Sequence, residues 1–468
     1  MDTLNGINDE KSLKRSVLLV ASFAAFLTPF LGSAVNLALP AIGKDLHANA
    51  ISLSWVISSF ILSSAIFLLP FGRLGDIIGR KKVFSTGIIL FTISSFLIVF
   101  SRSITSLIIL RIFQGLSAAM IFGTSLAIVT SVFPQGERGH AMGITVTSTY
   151  LGLSAGPVIG GFLTHSLGWR SIFAFLVPVG IISIYLIFRK MKSEWAEAKG
   201  EKFDWKGSVI YGIALSGFMY GFSKLPSTLG WICLSSGALM AGLFLIFEKR
   251  MDHPVFEVRL FLKNRVFAFS GLAALIHYSA TNATGFFLSL YLQYVKGLDA
   301  KSAGLIMISQ PVAMALLSPL AGRLSDRKNP GVIASIGMGL TGAGLILFCF
   351  IKSSTPVYII VLLLILMGIG FGLFSSPNSN AIMSSVEKRN LGLASGVVGT
   401  MRMVGQMMSM GIAMMLIALY IGKQTINPAT YSGFVSAMKT GFVIFSILSV
   451  LGIFASLARN KKLANNIP

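Results

Sequence analysis

Few residues of this 468-residue chain could do chemistry, and none is arranged as a nucleophile triad or a metal cluster. Asp76 stands among Arg73, Arg80, Lys81 and Lys82 in "GRLGDIIGRKK", residues 72–82. A carboxylate so placed can form an ion pair that one conformation makes and another breaks, or cap a helix N-terminus through the helix dipole. Gly72, Gly75 and Gly79 would permit tight turns there. A shorter copy, "GRLSDRKNP" at 322–330, sets Asp326 beside Arg323, Arg327 and Lys328. Arg111 and Gln114 fall one turn apart inside an apolar run, and so do Arg402 and Gln406. A charge at that depth costs a few kcal/mol or more unless it faces a cavity or a partner, so both arginines are candidates for a substrate or proton pathway. His277, Asn282 and Gln310 are further polar residues in apolar runs. An imidazole can carry a proton, but a lone one is more often a hydrogen-bonded structural group. The Met-rich stretch "MRMVGQMMSMGIAMM" could line an adaptable binding surface or simply pack. The chemistry on offer is reversible proton and ion-pair exchange. An enzyme is not expected, and neither is a cofactor. The sequence has no GxxxxGK[ST] phosphate loop to drive transport with ATP.

The elements that must position these groups are membrane helices. Hydrophobic residues make up 54% of the chain and charged residues 12%, with a mean hydropathy of +0.80. A soluble domain carries about 25% charged residues. Apolar runs long enough to cross a bilayer recur along the whole chain. They predict fourteen spans, near 16–39, 51–71, 83–101, 105–128, 140–164, 169–188, 207–223, 231–247, 266–292, 302–321, 331–351, 356–376, 393–421 and 437–457. The polar N-terminus runs straight into a full span, so no cleavable signal is expected. Cys233 and Cys349 lie in apolar runs and imply no disulfide framework. Placing both termini in the cytoplasm puts most of the 38 Lys and Arg residues in cytoplasmic segments. This predicts a multi-pass protein of the plasma (inner) membrane, with the bilayer, a small-molecule substrate and protons as partners. The net charge of +22 is then a topology signal, and no nucleic-acid partner is expected.

Two charged stretches, 189–207 and 248–265, divide the spans six, two, six. The expected fold is an all-α membrane protein of two six-helix bundles, 1–190 and 266–468, joined by a linker, 191–265, that carries two extra helices. The Gly-Arg-Leu-x-Asp segments follow the second span of each six-helix half. Paired halves of this kind are a hallmark of secondary transporters.

The fifth span, "GITVTSTYLGLSAGPVIGGFL", is loaded with residues that weaken helices in water. In lipid, small residues let helices approach closely. Gly152, Gly156 and Gly160 are four apart and share one face. Pro157 removes a backbone hydrogen bond and bends the helix. Two uses are open: ordinary close packing, or a kinked contact between the halves that closes the outer side.

Over nearly its whole length the chain resembles the major facilitator superfamily, and within it the fourteen-helix drug:proton antiporter branch. "GRLGDIIGRKK" is similar to the family's loop between helices two and three, and "RIFQGLSAAM" to its fourth-helix pattern. Gly143, Gly152, Gly156, Pro157, Gly160 and Gly161 coincide with the antiporter pattern of helix five. "GWRSIFAFLVPVG" resembles the entry to helix six, with weaker matches at "FDWKG" and "NLGLASGVVGTMR". The resemblance implies export of amphipathic molecules by alternating access, multidrug efflux-like and proton-coupled. It implies gating roles for Gly72, Asp76, Arg80, Gly152, Gly156, Pro157, Gly160, Gly161 and, in the second copy, Asp326. It also links Arg111 to proton transfer.

One departure matters. The branch commonly carries an Asp in the first span, where this chain reads "LGSAVNLALPAI" with Gly32 at that position. None of the 16 acidic residues is expected inside a span. Neutral or anionic amphipaths therefore fit this chain better than cations. A facilitator or a differently coupled exporter of one neutral or anionic metabolite is the alternative. A non-transporting sensor on a transporter scaffold is the alternative of another class, and it would be expected to carry a sizeable soluble output domain.

Overall fold

The structure of the protein, a computed structural model, describes residues 2–191, 193–251, 254–386, 391–422 and 424–459. The side chains of 2–11, 135–136, 138–140, 326, 391–393 and 395 lie outside that description. Every regular element among the described residues is helical. The first group is α1 (Asp2–Asp45), α2 (Ala50–Ile78), α3 (Arg80–Val99), α4 (Ile104–Val132), α5 (Gln135–Leu167) and α6 (Arg170–Lys190). Then come α7 (Trp205–Lys224), α8 (Thr228–Glu248) and the short α9 (Val258–Lys263). The last group opens with α10 (Arg265–Leu290), which continues through one π-helical turn, Tyr291–Val295. It goes on with α11 (Ala300–Met307) and α12 (Ser309–Arg327), which run as one span, and with α13 (Pro330–Phe348). It closes with α14 (Val357–Ser384), α15 (Leu391–Tyr420) and α16 (Tyr431–Ala458).

Helix starts follow from local chemistry. Ser103 caps α4 in a reciprocal box with Ser106, and the Asp204, Asn264 and Asp299 side chains each accept a backbone N–H of α7, α10 and α11. Asn329 caps α13 with Pro330 at its first turn. Among the described residues eleven spans are long and apolar enough to cross a membrane. Helices α5, α7 and α10 pack among them and are 33, 20 and 26 residues long. Gly, Ser, Thr and Tyr dilute their apolar content, so composition alone does not rank them with the eleven.

The internal repeat is visible in the packing. In the first group α1 packs on α5, α2 on α4, α3 on α4 and α3 on α6. In the second, α10 packs on α15, α12 on α14, α13 on α14 and α13 on α16. Small residues make these approaches possible: Gly123 lies against Gly72, and Gly337 against Gly370. Helices α7 and α8 pair with each other, and α7 leans on both α2 and α15.

One expectation is corrected here. Gly72, Gly75 and Asp76 are not in a loop with tight turns; they form the last turns of α2. Gly72 and Gly75 are packing residues, facing the Gly123 backbone and Thr124. Only Gly79, at φ +122°, makes the turn into α3. A side chain there would be strained and would also overlap the Glu194 carboxylate.

Candidate functional site

The two helix groups meet along a seam with three distinct levels. At the α1–α2 turn they touch directly. The Ser289 hydroxyl donates to the Asn36 carbonyl at 2.6 Å, and Gln293 Nε2 donates to the Leu37 carbonyl at 3.1 Å. The Ser58 hydroxyl contacts Met414 Sδ at 3.3 Å, and Ala50 N–H donates to the Gln424 carbonyl at 3.3 Å. The closest approach is between α5 and α11. A Cβ at Gly304 would overlap the Pro157 carbonyl, and one at Gly161 would sit 2.5 Å from the Ala300 carbonyl oxygen. The other α5 glycines face elsewhere. Gly152 lies against the Phe26 carbonyl, Gly156 against Ser33 and the Phe30 carbonyl, and Gly160 against Ala34, all on α1 of the same group. The helix-five pattern therefore serves two contacts at once, and the three-glycine face is the one within the first group. Nearby, Asp45 accepts from Trp169 Nε1 at 3.1 Å and Arg170 Nη1 at 2.7 Å, while Arg170 Nη2 reaches the Ser101 carbonyl at 2.8 Å. This clamp explains the "GWR" entry to α6.

At mid-depth the seam is polar. Tyr150 of α5 hydrogen-bonds Ser318 of α12 at 3.2 Å across the two groups. Half-buried Arg402 lies over the Tyr278 ring, its guanidinium carbon 5.6 Å from the centroid. Arg402 Nε is buried without an acceptor. No ion pair among the described residues involves Arg402. Gln406 lies one turn along α15, and Asn282 one turn along α10 from Tyr278; both are half-buried. Gly285 looks across at the Asn36 side chain, 3.6 Å from where its Cβ would be. Gln310 is half-buried too, with its carbonyl packed against Gly368 of α14. At Gly32 an added Cβ would meet no atom within 4 Å.

Three expected pathway residues are not at the seam. Arg111 and Gln114 are fully buried inside the first group. Arg111 Nε donates to the Val56 carbonyl at 3.0 Å and Nη1 to Gln114 Oε1 at 2.7 Å, and Gln114 Nε2 continues to Ser95 at 2.8 Å. The guanidinium also lies 4.3 Å from the Phe60 ring centroid. In this conformation the pair ties α4 to α2 and α3, and does not line an opening. His277 is wholly buried, 4.0 Å centroid to centroid from Phe374 and beside Phe371, and neither ring nitrogen has a hydrogen-bond partner.

At the α2–α3 turn the ties stay within the first group and its connection to α7. Arg80 Nε donates to Asp76 at 2.7 Å, and Nη1 to both Ser131 and Glu197 at 2.8 Å. Arg73 pairs with Glu201, and Glu194 accepts the Lys81 N–H at 2.8 Å. Backbone bonds from Arg80 N–H to Trp195 and from Ala198 N–H to Asp76 complete the strap. Sequence reasoning placed Asp76 among cations alone; the acidic residues of 194–201 join them. The Asp326 side chain and Glu387 lie outside the described residues.

A further pair went unnoticed in the sequence. Asp204 and Glu248, both buried, meet where α7 begins and α8 ends, their carboxyls crowding Gly207, and Asp204 Oδ2 and Glu248 Oε1 have no hydrogen-bond partner among the described residues. Glu248 Oε2 accepts the Phe256 N–H at 3.1 Å. The "FDWKG" segment was the available signal. Among the described residues no three His, Cys, Asp or Glu side chains gather as metal ligands.

The sequence model of the Major Facilitator Superfamily matches residues 21–410 and 270–466. The chain is 31% identical over 387 residues to a riboflavin transporter of Clostridioides difficile, covering 82% of this chain and 84% of that one. It is 29% identical over 474 residues to a cephamycin export protein of Amycolatopsis lactamdurans, covering 97% and 95%. Its fold is like that of a bacterial homologue of the human lysosomal transporter Spinster, solved inward-facing and unoccupied. The TM-score is 0.68 at 16% identity, over 97% of this chain and 99% of that one.

Proposed function

We propose, for a chain that belongs to the Major Facilitator Superfamily, that it exports amphipathic small molecules by alternating access. Residues 1–190 and 266–468 are then two rocking halves, 191–265 inserts two linker helices, and the spans number fourteen. Both termini are cytoplasmic on the positive-inside argument, so the α1–α2 face is the outer one. The observation that carries this reading is the tight contact between the halves at the outer face. They touch backbone to backbone there through α5 and α11, whereas the described ion pairs of the α2–α3 turn join Arg73 and Arg80 to their own half and its connection to α7. A rocking transporter needs contacts that can be exchanged between its two faces. Asp76 and Arg80 are placed to be released from the 194–201 strap for a contact with the other half. Relatives named for export of a cephamycin and transport of riboflavin support a small organic cargo.

A second reading is a facilitator. It is favoured by Gly32, which leaves the seam without the branch's first-helix carboxylate. Flux of a lipophilic dye and of riboflavin into proteoliposomes, with and without a pH gradient, separates the two. Accumulation that requires the gradient supports proton-coupled export, and equilibration alone supports the facilitator. No protein-dependent flux of any cargo in a broad panel would refute both.

A further inference from the structure

Resting on that transport reading, we infer that the mid-seam site selects organic anions and holds their carboxylate on Arg402, between Tyr278 and the Tyr150–Ser318 bridge. Arg402 is the cationic group at this level, half-buried, with a buried Nε that no described acceptor satisfies. A guanidinium at mid-membrane depth is costly until an anion or a set of carbonyls meets it. Arg111 shows what a satisfied one looks like, with a carbonyl, a glutamine oxygen and an aromatic face around it. Arg402 has only the aromatic face. A carboxylate can take a fork of two charge-assisted hydrogen bonds from it. The Tyr150 and Ser318 hydroxyls, bonded across the seam, add neutral donors and belong to both halves. Their bridge must rearrange when a ligand enters, so occupancy is communicated to each half.

Charge sets the class of cargo. Among the described residues no acidic residue occupies the middle of a long helix; Asp76 and Glu248 lie in terminal turns. At Gly32 the space that a carboxylate would fill is open. The site therefore offers a cation with no described counter-charge, and in a low-dielectric setting that favours anions over matched cations.

The test uses full-length purified protein and three probes of one shape: naphthoate, naphthamide and naphthylmethylammonium. Binding is read by calorimetry, and flux is read separately in proteoliposomes. The parent should bind naphthoate most tightly. Arg402→Gln should weaken naphthoate by roughly tenfold or more, the loss of a charge-assisted bond, and leave naphthamide unchanged. Arg402→Lys should restore part of the loss. Gly32→Asp, which adds an anion without removing a group, should turn the preference toward the ammonium. Tightest binding of the ammonium by the parent would overturn the inference. So would equal weakening of all three probes by Arg402→Gln, or no saturable binding of naphthoate. Binding without flux would overturn the transport reading and leave the site assignment standing.

Discussion

Substituting Gly304 by Ala tests whether the outer contact is a gate. The new Cβ would overlap the Pro157 carbonyl oxygen and lie 2.9 Å from its carbonyl carbon and 3.2 Å from Leu37 Cδ1. The first two atoms are backbone and cannot rotate away. Relief requires α11 and α5 to separate. Overpacking of this kind costs about 1–3 kcal/mol. Helix α11 stays helical when the face opens, so the higher helix propensity of Ala cancels between states. The strain then falls on the closed state alone. Since about 1.4 kcal/mol is a factor of ten, the population open at the outer face should rise by roughly five- to a hundredfold. Spin labels at Arg102 and Ser354, both exposed in loops of that face, one on each half, report the separation by pulsed EPR in lipid. Cys233 and Cys349 are first replaced by Ser. Gly242→Ala, at a site with no atom within 4 Å, is the control. The Gly304→Ala protein should gain a longer-distance population that the control lacks. Identical distance distributions would show that the α5–α11 contact is plain packing.

Asp76→Asn removes the charge from one of three side-chain partners of Arg80 and leaves Ser131 and Glu197. A partly exposed pair contributes about 1 kcal/mol or less, so expression should hold while flux per molecule falls; unchanged turnover would remove Asp76 from the gating cycle. Glu248→Gln keeps an acceptor for Phe256 N–H and brings an amide donor to the neighbourhood of Asp204, whereas Glu248→Ala strands the Phe256 N–H. Thermal unfolding should separate the two variants by about 1–3 kcal/mol, with Gln the more stable; equal loss in both would mean that the bond to the Phe256 N–H contributes nothing. His277→Phe keeps the aromatic stack and removes two buried, unpartnered nitrogens. Its melting temperature should equal or exceed that of the parent and its flux should persist; loss of pH-driven flux in a folded variant would assign the imidazole to proton transfer.

Sequence reasoning went furthest where periodicity meets the bilayer. The apolar runs locate the long helices, and glycines four apart mark α5 as a helix that packs closely. They do not say against which neighbour. Gly152, Gly156 and Gly160 turn to α1, and Gly161 turns to α11, because a small residue records a close approach and not the identity of what approaches. Three glycines around Asp76 suggested a turn. A membrane helix uses the same residues for packing, and only the positive φ of Gly79 breaks the chain. Arg111 was expected at a cavity because a buried charge needs a partner. Its partners are Gln114, one turn on, and the Val56 carbonyl, a backbone group that carries no signature in sequence. The strap over the α2–α3 turn was legible as charge, but its docking depends on tertiary placement of Glu194, Glu197 and Glu201.

The two ends of the molecule are held by different forces. The seam at the α1–α2 face is closed by small residues, backbone atoms and hydrogen bonds, which ionic strength does not weaken. The ties at the α2–α3 turn are ion pairs within the first group and its connection to α7, which salt, lipid headgroups or protons can compete away. Between them sits Arg402, a cation without a described anion. An arriving carboxylate satisfies that charge, but it also disturbs the Tyr150–Ser318 bridge between the halves. Binding can shift the balance between the faces only if the ligand interacts differently with the two states. On the alternating-access reading the bridge supplies that difference, because its two hydroxyls lie on opposite helix groups and would not keep the same geometry if the groups moved relative to each other.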